Sequence, residues 1–261
     1  MAITFGTFSL QDANFVTSNV SYRTIPARDI VLENIARKPG KKLISTEFAE
    51  RHIKLAGWIL GSSASNLITQ IDNLHSNVTR KTSGTLSIDS GREIEALVAS
   101  VNVDEPHYTQ SMAPFEIEFI AAEPFWKGAQ QTVSLAVTSG SATQPITKSV
   151  TLTISGSVFA EPSIIYTAPG STGTTTTSGI QIAYNPTGEK VTWSGNSNTA
   201  LAYGNFVKFD YSNQLILEGS TEIEATGVYS RWEPGETTFV ATFSGSNQGG
   251  QLDFIYRPRY L

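Results

Sequence analysis

The chain has no cysteine in its 261 residues. That excludes disulfide staples, thiolate metal sites and a cysteine nucleophile, and it leaves the redox compartment open. Histidine is scarce as well: His52, His75 and His107 are the only three, and no two stand at the short spacing of a zinc motif. Charged residues make up only 16% of the chain and sum to a net charge of -5, which argues against the broad basic surface of a general nucleic-acid binder. No apolar run approaches the roughly 20 residues that span a bilayer. Residues 1–10 lack the basic start and unbroken apolar stretch of a secretory signal. The expectation is a chain made soluble in the cytoplasm, with no membrane partner.

What is abundant is threonine, serine and glycine. With few charges and frequent turn residues, such a composition favours β-sandwiches or barrels built from short strands. At this length the chain holds one large domain or two, and about three quarters of the unfolded surface can be buried without staples.

The most informative stretch is Pro114-Phe115-Glu116-Ile117-Glu118-Phe119-Ile120-Ala121-Ala122-Glu123-Pro124-Phe125-Trp126-Lys127. Phe115, Ile117 and Phe119 fall on one side and Glu116 and Glu118 on the other, the period of a half-buried strand. Pro124 ends the pairing, and Phe125 and Trp126 supply bulk to pin a corner. Residues 1–128 are about twice as densely charged as the rest. Together these place a domain boundary at the corner, giving units 1–128 and 129–261, with mild proteolysis expected between Trp126 and Val150 or in the threonine-rich tract Thr167–Gly179.

In the first unit strands are expected near Val20–Thr24, Arg28–Ile35, Lys41–Ser45, Arg51–Gly57, Gly84–Ile88, Glu93–Val101 and Phe115–Ala121. Pro39-Gly40 and Asp89-Ser90-Gly91 supply turns. Leu67, Ile68, Ile71, Leu74 and Val78 recur at three- and four-residue steps, which predicts a helix over Ser65–Val78 capped by Ser63 or Ser65. The second unit shows no helical stripe. Its strands are expected at Thr132–Val137, Ser149–Ile154, Ser163–Tyr166, Ile180–Tyr184, Lys190–Trp193, Asn205–Tyr211, Gln214–Glu218, Thr237–Phe243 and Leu252–Tyr256, the spacing of a two-sheet sandwich of the jelly-roll type. Thr167–Gly179 reads as an exposed loop.

Chemistry is thin. Glu116 and Glu118 are a carboxylate pair of the kind glycoside hydrolysis requires, yet neighbours two apart are also what any solvent-facing strand displays. There is no Gly-x-Ser-x-Gly elbow, no Walker-type loop, and no calcium-loop pattern around Asp72 or Asp89. No enzyme and no cofactor is expected. Trp193, Tyr203, Tyr229 and Trp232 can be read as a platform for sugar rings, with Trp193 and Trp232 at its centre, or as core and interface filling. Arg37-Lys38-Pro39-Gly40-Lys41-Lys42 is a compact basic tip in an acidic chain. Arg37, Lys38, Lys41 and Lys42 are candidate contacts to an acidic partner, such as Glu116, Glu118 or Asp104-Glu105 of another copy.

Taken in order, several segments resemble the distal tail protein (Dit-like) family of siphophages. They are the basic hairpin Arg37–Lys42, then Arg51-His52-Ile53-Lys54-Leu55-Ala56-Gly57-Trp58-Ile59, and the helix with Leu67, Ile71 and Leu74. The Glu123-Pro124-Phe125-Trp126 corner follows, then Ala202–Asp210, Trp232-Glu233-Pro234-Gly235-Glu236, and the ending Tyr256-Arg257-Pro258-Arg259-Tyr260-Leu261. The resemblance spans nearly the whole chain. It implies a mainly β protein, with a β-rich tail domain carrying one helix and a galectin-like sandwich outside it. It further implies a virion component whose six copies form a ring joining the tail tube to the tail tip or baseplate, genome passing through the lumen, with no catalysis. The competing expectation is a carbohydrate-binding sandwich protein recognising the host surface from the tail tip.

Overall fold

The computed structural model describes residues 2–35, 38–80, 83–89, 91–104, 111–137, 145–168, 176–195, 201, 204–223, 226–246 and 249–261. It divides into two compact units, Met1–Lys127 with Leu261, and Gly128–Tyr260. Among the described residues there is a single helix, and it is not long and apolar enough to cross a membrane.

The first unit holds a main antiparallel sheet and a separate two-stranded one. Its strands are β1 (Thr4–Phe5), β2 (Phe8–Ser9), β3 (Phe15–Ser21), β4 (Arg28–Asn34), β5 (Lys41–Phe48), β6 (Arg51–Leu60), β7 (Ser83–Asp89), β8 (Arg92–Val103), β9 (Met112–Ala121) and β10 (Trp126–Lys127), with α1 (Ala64–Val78) after β6. The main sheet runs β2-β1-β7-β8-β9-β6-β3. In β6, Ile53, Leu55 and Ile59 alternate inward; in β9, Phe115, Ile117 and Phe119 do the same. Register shifts in β3–β6, between Thr17 and Asn19, and in β8–β9, between Val98 and Ser100, bend the long strands. The expected helix forms one residue earlier than its stripe suggested. Ser63 is the cap, its Oγ accepting from Asn66 N at 3.2 Å. Leu67, Leu74 and Val78 face inward, but Ile68 is 52% exposed and stands on the flank of the stripe.

β4 and β5 belong to none of this. Among the described residues they pair only with each other, as a two-stranded sheet closed by Pro39-Gly40, where Gly40 takes φ +107°.

The second unit is the expected sandwich. One sheet holds β11 (Gln131–Val137), β21 (Gly250–Tyr256), β13 (Ser163–Thr167), β16 (Phe206–Asp210), β17 (Leu215–Glu218) and β18 (Thr221–Ile223), in that spatial order. The other holds β12 (Ile146–Ile154), β20 (Gly235–Ser246), β14 (Thr176–Tyr184), β15 (Glu189–Ser194) and β19 (Thr226–Gly227). A last short strand, β22, is Arg259–Tyr260. Inward residues of both sheets form one core, among them Tyr166, Ile182, Trp193, Phe209, Phe239, Phe243 and Phe254. The threonine-rich tract is not a loop at its ends. β13 runs through Thr167, Ala168 is buried, and β14 begins at Thr176, with Thr177 fully buried and its Oγ1 3.0 Å from the Tyr166 hydroxyl. Residues 169–175 lie outside the described residues.

Candidate functional site

The corner at Pro124 is held by a residue that sequence reasoning passed over. Arg51 opens β6 and is 2% exposed. Its Nε donates to Pro124 O at 2.7 Å and its Nη1 to Tyr22 O at 2.8 Å, and its guanidinium lies 5.9 Å from the centre of the Trp126 ring. Burial lowers its pKa from the usual arginine range. Around it, Trp126 packs edge-on to Tyr22 at 5.9 Å and Phe125 edge-on to Phe48 at 5.4 Å. An arginine in a strand normally reads as a surface residue; burial and its bonds to two backbone carbonyls make this one structural.

Phe48 ends β5, so the same cluster anchors the base of the β4–β5 hairpin. Arg28 stacks over the Phe48 ring at 4.7 Å and Ala49 N donates to Ala27 O at 2.9 Å. Beyond this base the hairpin stands free. Ile30 (58%), Leu32 (49%) and Leu43 (54%) are all exposed. Leu32 lies opposite Leu43 and Asn34 opposite Lys41, so Ile30, Leu32, Leu43 and Lys41 share one face. Asp29, Val31, Glu33, Lys42 and Glu47 share the other. Lys38, Lys41 and Lys42 are exposed at the tip as the charge pattern suggested, and Arg37 lies outside the described residues.

A second feature of this unit is a groove of about 760 Å³ lined by residues of β3, β6, β8, β9 and α1. Trp58, 42% exposed, sits in it opposite Pro114 across the β6–β9 pair. Asp104 and Glu116 line it, with His75 the only basic-type side chain among the lining residues. Gly57 is required at its floor, because a Cβ there would collide with the Val16 carbonyl and the Phe115 ring. The two glutamates of β9 differ in what they meet. Glu118 accepts from His52 Nδ1 at 3.1 Å and lies 4.0 Å from Lys54 Nζ. Glu116 has no ion pair among the described residues. Glu105 and His107, the other residues considered near here, lie outside the described residues. Among the described residues no three His, Asp or Glu side chains converge as a metal site.

In the second unit the two tryptophans expected at a sugar platform are in the core. Trp193 is 1% and Trp232 0% exposed. The Trp232 ring lies 4.2 Å from that of Phe239 and about 6 Å from those of Tyr211, Phe254 and Tyr256. Its backbone bridges to Ala160 in both directions, at 2.8 and 3.1 Å. Neither indole offers a face to solvent, so the platform reading is corrected. The signal was present for Trp193, which alternates in phase with Val191. For Trp232, flanked by Arg231 and Glu233, it was faint. Tyr203 lies outside the described residues. Next to this cluster Asp210 is 6% exposed. Burial pushes its carboxyl up, but hydrogen bonds from Lys208 Nζ (2.8 Å), Ser212 Oγ (2.9 Å) and Asn213 N (3.2 Å) and Nδ2 (3.3 Å) outweigh this and hold it at about 2.

Residues 3–121, from before β1 to the end of β9, match the family model described as a phage tail protein RIFT-related domain. That match takes in nearly all of the first unit. Over the whole length, the fold matches the solved structure of the SPP1 Dit protein, described as a paradigm of the hub adsorption apparatus in phages infecting Gram-positive hosts. That match covers 100% of this chain and 99% of the other, with a TM-score of 0.72 at 11% identity. The chain therefore shares the fold of that protein over its whole length. Two chains from structures of the phage p2 baseplate in its activated conformation, with Ca and with Sr, also match. They cover 98% and 97% of this chain and 90% and 96% of their own, with TM-scores of 0.43 and 0.46 at 9% identity. No curated protein sequence matches the chain.

Proposed function

We propose that this protein forms a homo-hexameric ring that joins the tail tube to the tail tip or baseplate and leaves a lumen for the genome. The first unit, residues 1–128, is the ring-forming part and the second, residues 129–261, is an outer galectin-like sandwich. Neighbouring tail-tube and hub proteins are the other partners, and DNA passes without sequence-specific contacts. The observation that carries self-association is the β4–β5 hairpin. An isolated two-stranded sheet is marginal in water, and this one exposes Ile30, Leu32 and Leu43 on a single face. An apolar face on a projecting arm is a surface awaiting a partner. The Dit-like fold supplies the context in which that partner is another tail subunit.

The role is structural rather than catalytic. The saccharide reading rested on Trp193 and Trp232, and both are spent on the core. Native mass spectrometry and negative-stain microscopy of the purified full chain test the ring. Closed six-subunit particles support it. A monomer at every concentration, or a two-fold dimer with no larger species, overturns it.

A further inference from the structure

Resting on that ring reading, we infer that the hairpin of one copy docks in the Trp58 groove of the next, with Lys41 against Glu116 and Asp104 and with Leu32 and Leu43 over the indole. The hairpin and the groove are two different patches on one subunit. A contact between them is head-to-tail, and closes into a ring when the rotation permits, where each copy gives its hairpin to one neighbour and its groove to another; a reciprocal exchange between two copies would instead give a two-fold dimer.

Charge selects the occupant. Two carboxylates, Asp104 and Glu116, line the groove, and no lysine or arginine does. Neither carboxylate has an ion pair among the described residues. The tip carries Lys38, Lys41 and Lys42, equally without side-chain partners there, at the one concentrated basic point of a chain with net charge -5. Glu118 points to the same side of β9 as Glu116 but is already engaged by His52 and Lys54. It is thereby removed from the candidates that sequence allowed. Apolar surface matches too. Trp58 is the one large ring exposed in the groove, and the hairpin face that would meet it carries Leu32 and Leu43. A strand of seven residues extends about 20 Å, long enough to cross to a neighbouring subunit.

The strand register then separates two adjacent lysines. Lys41 lies opposite Asn34, on the apolar face with Leu32 and Leu43, whereas Lys42 lies opposite Glu33 on the charged face. Docking through the apolar face brings Lys41 to the carboxylates and leaves Lys42 in solvent.

Because the chain has no cysteine, introduced thiols report this contact without background. Lys41→Cys protein mixed with Glu116→Cys protein and treated with a short bismaleimide should give cross-linked pairs of unlike copies. Lys42→Cys in place of Lys41→Cys should give far fewer. Lys41→Glu should weaken assembly roughly fivefold per contact, the effect of one exposed ion pair, and Glu116→Lys in the same chain should restore it. Lys42→Glu should leave assembly within about twofold, a shift well below that of a formed ion pair. Rings that form without any Lys41–Glu116 cross-link, or that cross-link equally through Lys42, overturn the docking and leave the ring standing. Absence of any oligomer overturns both.

Discussion

Two antiparallel hairpins in this molecule are alike in local pattern and opposite in fate. β14 and β15 place Ile180, Ile182, Tyr184, Val191 and Trp193 on one face, and each is no more than 3% exposed. β4 and β5 place Ile30, Leu32 and Leu43 on one face, and each is about half exposed. Both are closed by turns containing proline and glycine, Asn185-Pro186-Thr187-Gly188 in one and Pro39-Gly40 in the other. The difference is in the neighbours. β14–β15 lies between β20 and β19 and faces the second sheet of the sandwich, whereas among the described residues β4–β5 has neither a flanking strand nor an opposing sheet. Burial of one such side chain stabilises by about 1.5–3 kcal/mol, so the first hairpin contributes to folding and the second keeps that free energy available for association. Apolar alternation reports that a face can be covered, not what covers it.

This comparison can be broken most severely at Trp232, which completes the core that β14–β15 shares. Trp232→Ala should lower the unfolding free energy of the sandwich by about 3–5 kcal/mol in guanidinium titration. A loss below about 1 kcal/mol would show that the core is loosely filled there. Next in size is the anchor at the base of the free hairpin. Arg51→Ala leaves the Pro124 and Tyr22 carbonyls without their donors and should cost about 3 kcal/mol. Hydrogen exchange should quicken around Trp126; unchanged protection there would refute the anchoring role.

A smaller effect is set by pH. Asp210 is held at about 2 when folded, below the usual carboxylate value, so its contribution is complete above pH ~4 and disappears as pH falls toward 2. The sandwich should lose about 2 kcal/mol across that interval, and Asp210→Asn should flatten the slope. An identical acid profile in the variant would locate the pH dependence elsewhere. The smallest expected effect sharpens the contrast most. Leu43→Ala should change the stability of the unassembled chain by no more than about 0.5 kcal/mol while weakening its assembly. A loss of several kcal/mol in the monomer would mean that the hairpin is covered by its own chain.

The longer strands and the helix were legible because periodicity is local. Arg51–Leu60 and Met112–Ala121 alternate over ten residues, and the helix carries Leu67, Ile71, Leu74 and Val78 on one side. Thr4–Phe5, Phe8–Ser9, Thr221–Ile223 and Thr226–Gly227 escaped, since two or three residues cannot display a period. The basic tip was legible as charge density. The groove was not, because Ser18, Trp58, His75, Asp104 and Glu116 come from β3, β6, α1, the end of β8 and β9, separated by long stretches of chain.

By itself, the sequence determined where this protein makes its longer strands, where the helix runs and caps, where turns fall and where positive charge gathers. These depend on neighbouring residues and on backbone geometry. Only the tertiary structure decided that Trp232 faces inward while Trp58 faces out, that Glu118 meets His52 and Lys54 while Glu116 has no ion pair among the described residues, that Arg51 holds a corner, and that one apolar hairpin lies in a core while another is exposed. Each of those depends on which distant surface comes to lie against the residue, and local pattern carries no record of that surface.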